Sequence, residues 1–191
     1  MKKKGLEKFN ELVDAFARLP GVGKKSAQRY AYFVSLQDSF GGLKLAQSIE
    51  DAVRFIRRCE CCGGLSEDEI CDICSDENRD KSKLVIVESP RDILVFEQNA
   101  IYDGLYFVLD DLSEQALQKL RVMICKNGIN EVIFAFTPGL NSDAIMLFTQ
   151  EKLGFSELNF SKIAQGVPTG VSLENIDMLS LIKAFESRVK T

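Results

Sequence analysis

No apolar run in this 191-residue sequence approaches the roughly 20 residues that a helix needs to cross a bilayer. The opening stretch MKKKGLEKFN lacks the apolar core of a secretory signal. A membrane span and a secretory leader are therefore not expected, and the expected location is the cytoplasm. Internal repeats and low-complexity segments are absent too, which sets aside repeat architectures and disordered chains. What is present is a globular balance, 46% hydrophobic and 27% charged residues, in a chain long enough for two small domains or one domain with an appendage.

Positive charge is scarce overall, with a net charge of −4. It is also segregated. Residues 1–34 carry eight Lys/Arg against three Asp/Glu, a net of +5, which leaves −9 for the other 157 residues. An acidic protein with a basic N-terminal segment keeps nucleic acid open as a partner. Four of the six cysteines fall in CxxC pairs, a usage that in a reducing compartment points to metal ligation rather than disulfides.

Leu6, Phe9, Val13, Phe16 and Ala17 recur at helical spacing, so residues 6–18 read as an amphipathic helix that stops before Pro20. The turn PGVGKKS follows, and a helical pattern resumes from Ala27 to Phe33. A third helix, roughly 45–56, leads into the cysteines. The tract SDENRDKSK has no apolar member and reads as a solvated connection, with the main boundary near residue 80. Beyond it, strands at 84–87, 105–109 and 131–136 and a short segment at 158–164 alternate with helices near 91–99, 113–126 and 142–153. This pattern implies a parallel sheet with crossover helices, closed by a last helix near 179–189.

Three constellations carry chemistry. In Leu19-Pro20-Gly21-Val22-Gly23-Lys24-Lys25-Ser26-Ala27-Gln28-Arg29, two glycines let the backbone approach a phosphate, and the N–H groups opening the next helix form an anion site. Lys25 and Arg29, four apart on one helical face, reach neighbouring phosphates. A P-loop is excluded, because that pattern needs Gly where Arg18 stands and Ser or Thr where Lys25 stands. The plain alternative is a tight turn between packed helices. Second, Cys59, Cys62, Cys71 and Cys74 form two CxxC knuckles eight residues apart, the spacing of a closed, structural Zn²⁺ site. Cys61 is a possible substitute ligand, although spacing favours Cys59 and Cys62. Cys125, alone on an expected helix, reads as a small buried hydrophobe. Third, Glu88 in VIVESPRD ends the first strand of the sheet, where open parallel sheets place ligands.

The order of these elements, with LPGVGKKSAQR, CDICSDENRD, VESPRDILVFE, GLYFVL and KIAQGVPTGVSLENID, resembles the RecR family of bacterial recombination mediators along essentially the whole chain. The resemblance implies an α/β protein in three parts. These are a helical helix-hairpin-helix DNA-binding region at 1–57, a four-cysteine zinc finger at 58–80, and a Toprim-like parallel-sheet domain with a C-terminal helix at 81–191. It also implies one structural Zn²⁺ and a hairpin that meets DNA through Gly21, Gly23, Lys24, Lys25 and Arg29. The expected partners are single- and double-stranded DNA, RecO- or RecF-type repair proteins and further copies of the chain in a dimer or tetrameric ring, with no membrane.

The departures bear on activity. Catalytic Toprim enzymes hold Mg²⁺ with the first-strand Glu, a DxD motif and a nearby Glu, but Thr137 and Gly139 stand at the two Asp positions. Only Glu88 and Asp143 remain, a poor Mg²⁺ site that makes both candidates for partner binding. The glycine-rich SPLDG-type loop usual in the family after the second strand is missing, and Asp110-Asp111 stands there as an expected helix-start cap. The reading is a non-enzymatic mediator that helps load recombinase onto single-stranded DNA. The alternatives are a Mg²⁺-dependent Toprim enzyme, nuclease- or primase-like, and a zinc module that binds protein only.

Overall fold

The computed structural model describes residues 5–100, 102–137 and 140–164, with Ile176, Met178, Ser180 and Ile182 beyond them. Apart from Ser180 and Ile182, the expected closing helix at 179–189 lies outside the described residues. So do most of KIAQGVPTGVSLENID and the Lys2-Lys3-Lys4 tail. Met1–Ile56 and Arg57–Thr191 are two compact bodies.

In the first body, α1 (Glu7–Ala17) and α2 (Lys24–Tyr32) pack against each other. The small core consists of Val13, Ala27 and Ala31, with Phe9, Leu12, Phe16 and Val22 packed around it. Ala27 and Ala31, four apart and without exposed surface, face α1 without side-chain bulk between the helices. The second helix begins at Lys24, earlier than expected, because extended Gly23 is its N-cap. A π-helical turn at Phe33–Gln37 follows, and α3 (Ser39–Phe55) starts six residues before the expected position. Gly41 and Gly42 lie in its first turn, and Asp38 caps the helix by accepting from the Gly41 N–H at 2.8 Å. None of the residues of α3 is buried, and Phe40, Leu43 and Val53 are largely exposed.

The second body opens with a small antiparallel ladder of β1 (Arg57–Arg58) and β2 (Leu65–Ser66) and a single helical turn, α4 (Asp72–Ser75). Then β3 (Asp80–Val87), α5 (Pro90–Gln98), β4 (Gly104–Val108), α6 (Glu114–Asn127), β5 (Glu131–Ala135), α7 (Leu140–Leu153) and β6 (Asn159–Lys162) alternate. The four later strands form a parallel sheet in the order β4-β3-β5-β6. Strand residues alternate between two cores, as the two-residue period requires. Leu84, Ile86, Leu105, Phe107, Val132 and Phe134 pack with Leu117, Leu120 and Met123 of α6. Val85, Val87, Tyr106, Val108 and Ala135 pack on the opposite face with Ile93 and Phe96 of α5. Burying a side chain such as Leu84, Ile86 or Leu120 contributes about 1.5–3 kcal/mol.

The polar tract at 75–83 is not the solvated connection that its composition implies. Its second half is the start of β3, and Arg79 joins a network deep enough to leave its side chain 13% exposed. Arg79 donates to the Gly104 carbonyl at 3.1 Å and to Glu97, whose carboxylate also accepts from the Tyr106 hydroxyl at 2.7 Å. These partners lie far along the chain, so local polarity could not reveal them.

Candidate nucleic-acid interface and metal centre

At the hairpin, α1 ends with Arg18 and Leu19 N–H groups donating back to Ala15 and Phe16, and the Val22 N–H closes the turn on the Leu19 carbonyl at 3.1 Å. Gly21 sits at φ +76°, in the left-handed region that favours glycine. Gly23 has φ −77° and needs no glycine for its conformation. What both supply is room, since nothing lies within 4 Å of the place where a Cβ would stand. No side chain caps α2, and its first turn holds Lys24 and Lys25 and no acidic residue. The first N–H groups and the positive end of the helix are therefore open to an anion. Lys24, Lys25 and Arg29 are all exposed, and the Arg29 guanidinium lies 5.5 Å from the centre of the Tyr30 ring.

Cys59, Cys62, Cys71 and Cys74 come together with every sulfur within 4.8 Å of the others. Cys59 leaves β1 and its carbonyl accepts from the Gly63 N–H at 2.9 Å, while Gly63 takes φ +75° to turn the chain back. Cys71 precedes α4, whose single turn presents Cys74 three residues on. The N–H groups of Gly64 and Cys71 donate to the Cys62 and Cys59 sulfurs, each at 3.3 Å. Tetrahedral zinc with bonds of about 2.3 Å requires sulfur–sulfur separations near 3.8 Å, and Cys62 and Cys71 are 3.6 Å apart. The residues thus fit the metal in donor type, number and spacing.

Thiol ionisation supports this fit. The hydrogen bond from Cys62, then that from Cys74, lowers Cys71 to about 2, whereas Cys62 is pushed up, first by Cys71. Cys74 is likewise pushed up, first by Cys61 and then by Cys62 and Cys71. Thiols this close oppose one another's ionisation, and a divalent cation is the group that lets all four ionise. Cys61 is not among the four. It is half-buried beside the cluster and lowered to about 6, chiefly by a hydrogen bond with Cys74 against an opposing effect of burial.

The knuckles are seated on the sheet rather than suspended from it. The Val108 N–H at the end of β4 donates to the Cys62 carbonyl at 2.8 Å, and Cys59, Cys62 and Cys71 belong to the α6-side core. A Cβ on Gly63 would stand 3.2 Å from that of Val108. Nothing in the cysteine pattern specifies this seat. Cys125 is exposed on α6 rather than buried as expected from its type.

Glu88 leaves β3 at its carboxyl end and accepts from the Thr137 N–H at 2.8 Å, tying the ends of β3 and β5. The following helix is capped by Ser89 and Asp92 with Pro90 in its first turn, which accounts for the local sequence ESPRD. Asp143 pairs with Lys162 of β6 at 2.9 Å. Among the described residues, the four cysteines are the only group of three or more His, Cys, Asp or Glu able to share an ion, so Glu88 and Asp143 do not form such a group. Gly139 lies outside the described residues. Asp110-Asp111 is not the cap of α6: Ser113 caps it, its side chain accepting from the Ala116 N–H at 3.2 Å, while Asp111 accepts from the Ser113 N–H just before the helix and Asp110 pairs with Arg58 of β1 at 2.8 Å.

Family models match the chain in this same order. The RecR helix-hairpin-helix covers residues 9–53, the RecR four-cysteine zinc finger domain 56–76 and the Toprim domain 82–164. Together they define the class, a helix-hairpin-helix protein whose Toprim domain is preceded by a zinc finger, a domain set that fits a recombination mediator in DNA repair. The chain is 56% identical over 187 residues to the protein named Recombination protein RecR of Campylobacter jejuni subsp. jejuni serotype O:23/36 (strain 81-176), covering 98% of each. It is 57% identical over 185 residues to the protein of that name from a Nitratiruptor species, covering 97% of each. A third such protein, from Helicobacter pylori (strain Shi470), is 45% identical over 188 residues, 98% of this chain and 97% of the relative. The chain belongs to the RecR family of recombination proteins.

Proposed function

We propose that the protein mediates recombinational repair by binding DNA through its N-terminal hairpin, without catalysing a reaction on it. The single observation that carries this reading is the uncapped start of α2, open in front of Gly21 and Gly23 and flanked by exposed Lys24, Lys25 and Arg29. Such a surface suits the phosphate backbone of single- or double-stranded DNA and reads no bases. In this proposal Cys59, Cys62, Cys71 and Cys74 hold one structural Zn²⁺. Bound by these four thiolates, zinc would join the two knuckles, and the N–H···S bonds to Cys59 and Cys62 with the Val108 N–H to Cys62 carbonyl bond orient the loops against β4. The working parts are 1–57 for DNA, 58–80 for zinc and 81–191 for partners.

The absence of catalysis rests on the residues at the sheet's carboxyl edge. Glu88 is engaged by the Thr137 N–H and Asp143 by Lys162, and they do not meet in one ligand group. Their proposed role is at a surface for RecO- or RecF-type partners that load recombinase on single-stranded DNA in the cytoplasm. Assembly into a dimer or tetrameric ring is supported by α3, which leaves Phe40, Leu43 and Val53 uncovered. No helix among the described residues is long and apolar enough to cross a membrane. DNA binding and DNA cleavage measured side by side, with and without Mg²⁺, test the reading. Binding without cleavage is expected, and turnover abolished in Glu88→Gln would replace it with the Toprim enzyme.

A further inference from the structure

The basic helix α2 carries an aromatic side chain for which phosphate binding alone has no use. Tyr30 follows Arg29 directly and is 40% exposed, although Ala27 and Ala31 on the same helix are fully buried. Its ring meets Phe16 of α1 edge to face, with centroids 5.9 Å apart and planes at 69°. Phe16 packs in turn on the small core of Val13, Ala27 and Ala31, so the Tyr30 ring is braced on one side and open on another. The Arg29 guanidinium lies 5.5 Å from the ring centre, within the range of a cation–π contact. Lys25 and Arg29 share one side of the helix, and Tyr30 lies about 7.5 Å further along its axis than Lys25. The uncapped N-terminus, the cations and a braced aromatic ring therefore follow one another along a single helix that holds no acidic residue.

We propose that Tyr30 is a stacking platform for an unpaired base, and that this contact makes the hairpin favour single-stranded over double-stranded DNA. The role rests on the hairpin being the DNA surface. A phosphate held at the start of α2, with its neighbour on Arg29, sets the strand running along the helix past Tyr30. In a single strand the base is free to turn onto the ring, and because every base has a π-face the contact tolerates any sequence. Arg29 belongs to the same contact, since its guanidinium lies by the ring and can itself lie flat on a base. A duplex presents only base edges in its grooves, and bringing a base out to the ring requires unpairing and unstacking it. Phosphate contacts are common to both forms, so the ring is the element that tells them apart. The brace from Phe16 helps, because a ring already held in place loses little freedom when a base settles on it.

The experiment uses the full-length protein with a mixed-sequence oligonucleotide and with the blunt duplex that it forms with its complement, each carrying a dye for fluorescence anisotropy. Tyr30→Leu keeps an apolar side chain against Phe16 but removes the π-face. It should bind the single strand roughly tenfold more weakly and the duplex with unaltered affinity. Its salt slope should stay as it was, because no phosphate contact is lost. Tyr30→Phe keeps the ring and should bind both forms as the unaltered protein does. The chain contains no tryptophan, so Tyr30→Trp places a single indole at the site. Its emission should be quenched by the single strand and little changed by the duplex. Tyr30→Leu that binds the single strand as before, weakens equally for both forms, or loses salt slope because the ring only positions Arg29, would overturn the proposal and leave the hairpin as the DNA surface. An indole that the single strand does not quench would do the same. Failure of the unaltered protein to bind either DNA would overturn the hairpin reading, and the stacking site with it.

Discussion

The two bodies of this protein solve different problems with different amounts of core. The first buries Val13, Ala27 and Ala31 and leaves all of α3 without a buried residue, yet it holds a backbone turn open to an anion. The second encloses a parallel sheet between two apolar layers and uses the end of β4 to seat four cysteines. Binding a phosphate backbone needs a short open stretch of N–H groups and a few cations, which two packed helices can supply. Bringing sulfurs from two separate loops to within a few ångströms needs a rigid platform, and the zinc that unites them contributes to folding as well.

The sharpest way to break the contrast is to remove one thiolate. Cys71→Ala should lose essentially all of the zinc, since structural zinc sites bind with about 10–16 kcal/mol and depend on every ligand. The α1–α2 hairpin should keep its helical signal. Elemental analysis and circular dichroism check both halves, and a fully zinc-loaded variant would contradict the ligand assignment. Next in size are the cores. Leu120→Ala, at a site with no exposed surface, should cost about 2–5 kcal/mol in denaturant unfolding. Val13→Ala, which deletes two methyl groups from the smaller core, should cost about 1.5–2 kcal/mol. Equal costs would mean that the first body is better packed than its three buried residues imply.

The DNA surface sharpens the comparison from the other side. Lys25→Ala together with Arg29→Ala should lower the salt dependence of DNA binding by about two units, one for each lost phosphate contact. Binding should weaken alike across sequences, and more steeply if the chain assembles into a ring that repeats the hairpin. Zinc content and thermal stability should stay unchanged, because both side chains are exposed. Unaltered affinity and salt slope would move the DNA surface elsewhere.

The smallest expected effect is acid sensitivity, and it belongs to the second body. Asp80 is lowered to about 2, first by the Ser82 hydroxyl and then by the Ser82 N–H and Lys83. For Glu97, burial works upward, but hydrogen bonds from Arg79 and Tyr106 outweigh it and lower the group below its ordinary 4.5. Both carboxylates favour the folded state when ionised. Their contribution is present above the ordinary carboxylate range and is lost as pH falls from about 4 towards 2. Urea unfolding between pH 7 and pH 3 should show this decline, and Glu97→Gln should flatten it.

Much of this protein is legible in one dimension because its signals are local or periodic. The helix–turn–helix follows from spaced apolar residues and the Pro20-Gly21-Val22-Gly23 turn, the cysteine site from two short spacings, and the sheet from alternating strands and helices. Where local cues conflict with distant partners, the reading fails. The start of α3 is set six residues earlier than the apolar pattern suggests by the Asp38 cap, and the tract at 75–83 hides the start of β3 and the burial of Arg79. Residue type and spacing thus specified the elements and the chemistry they carry. Only the tertiary structure decided that the knuckles rest on Val108, that Glu88 ties β3 to β5, and that Arg79 reaches Glu97. Each is a contact between segments apart in the chain, formed by strand register and core packing rather than by the character of the residues themselves.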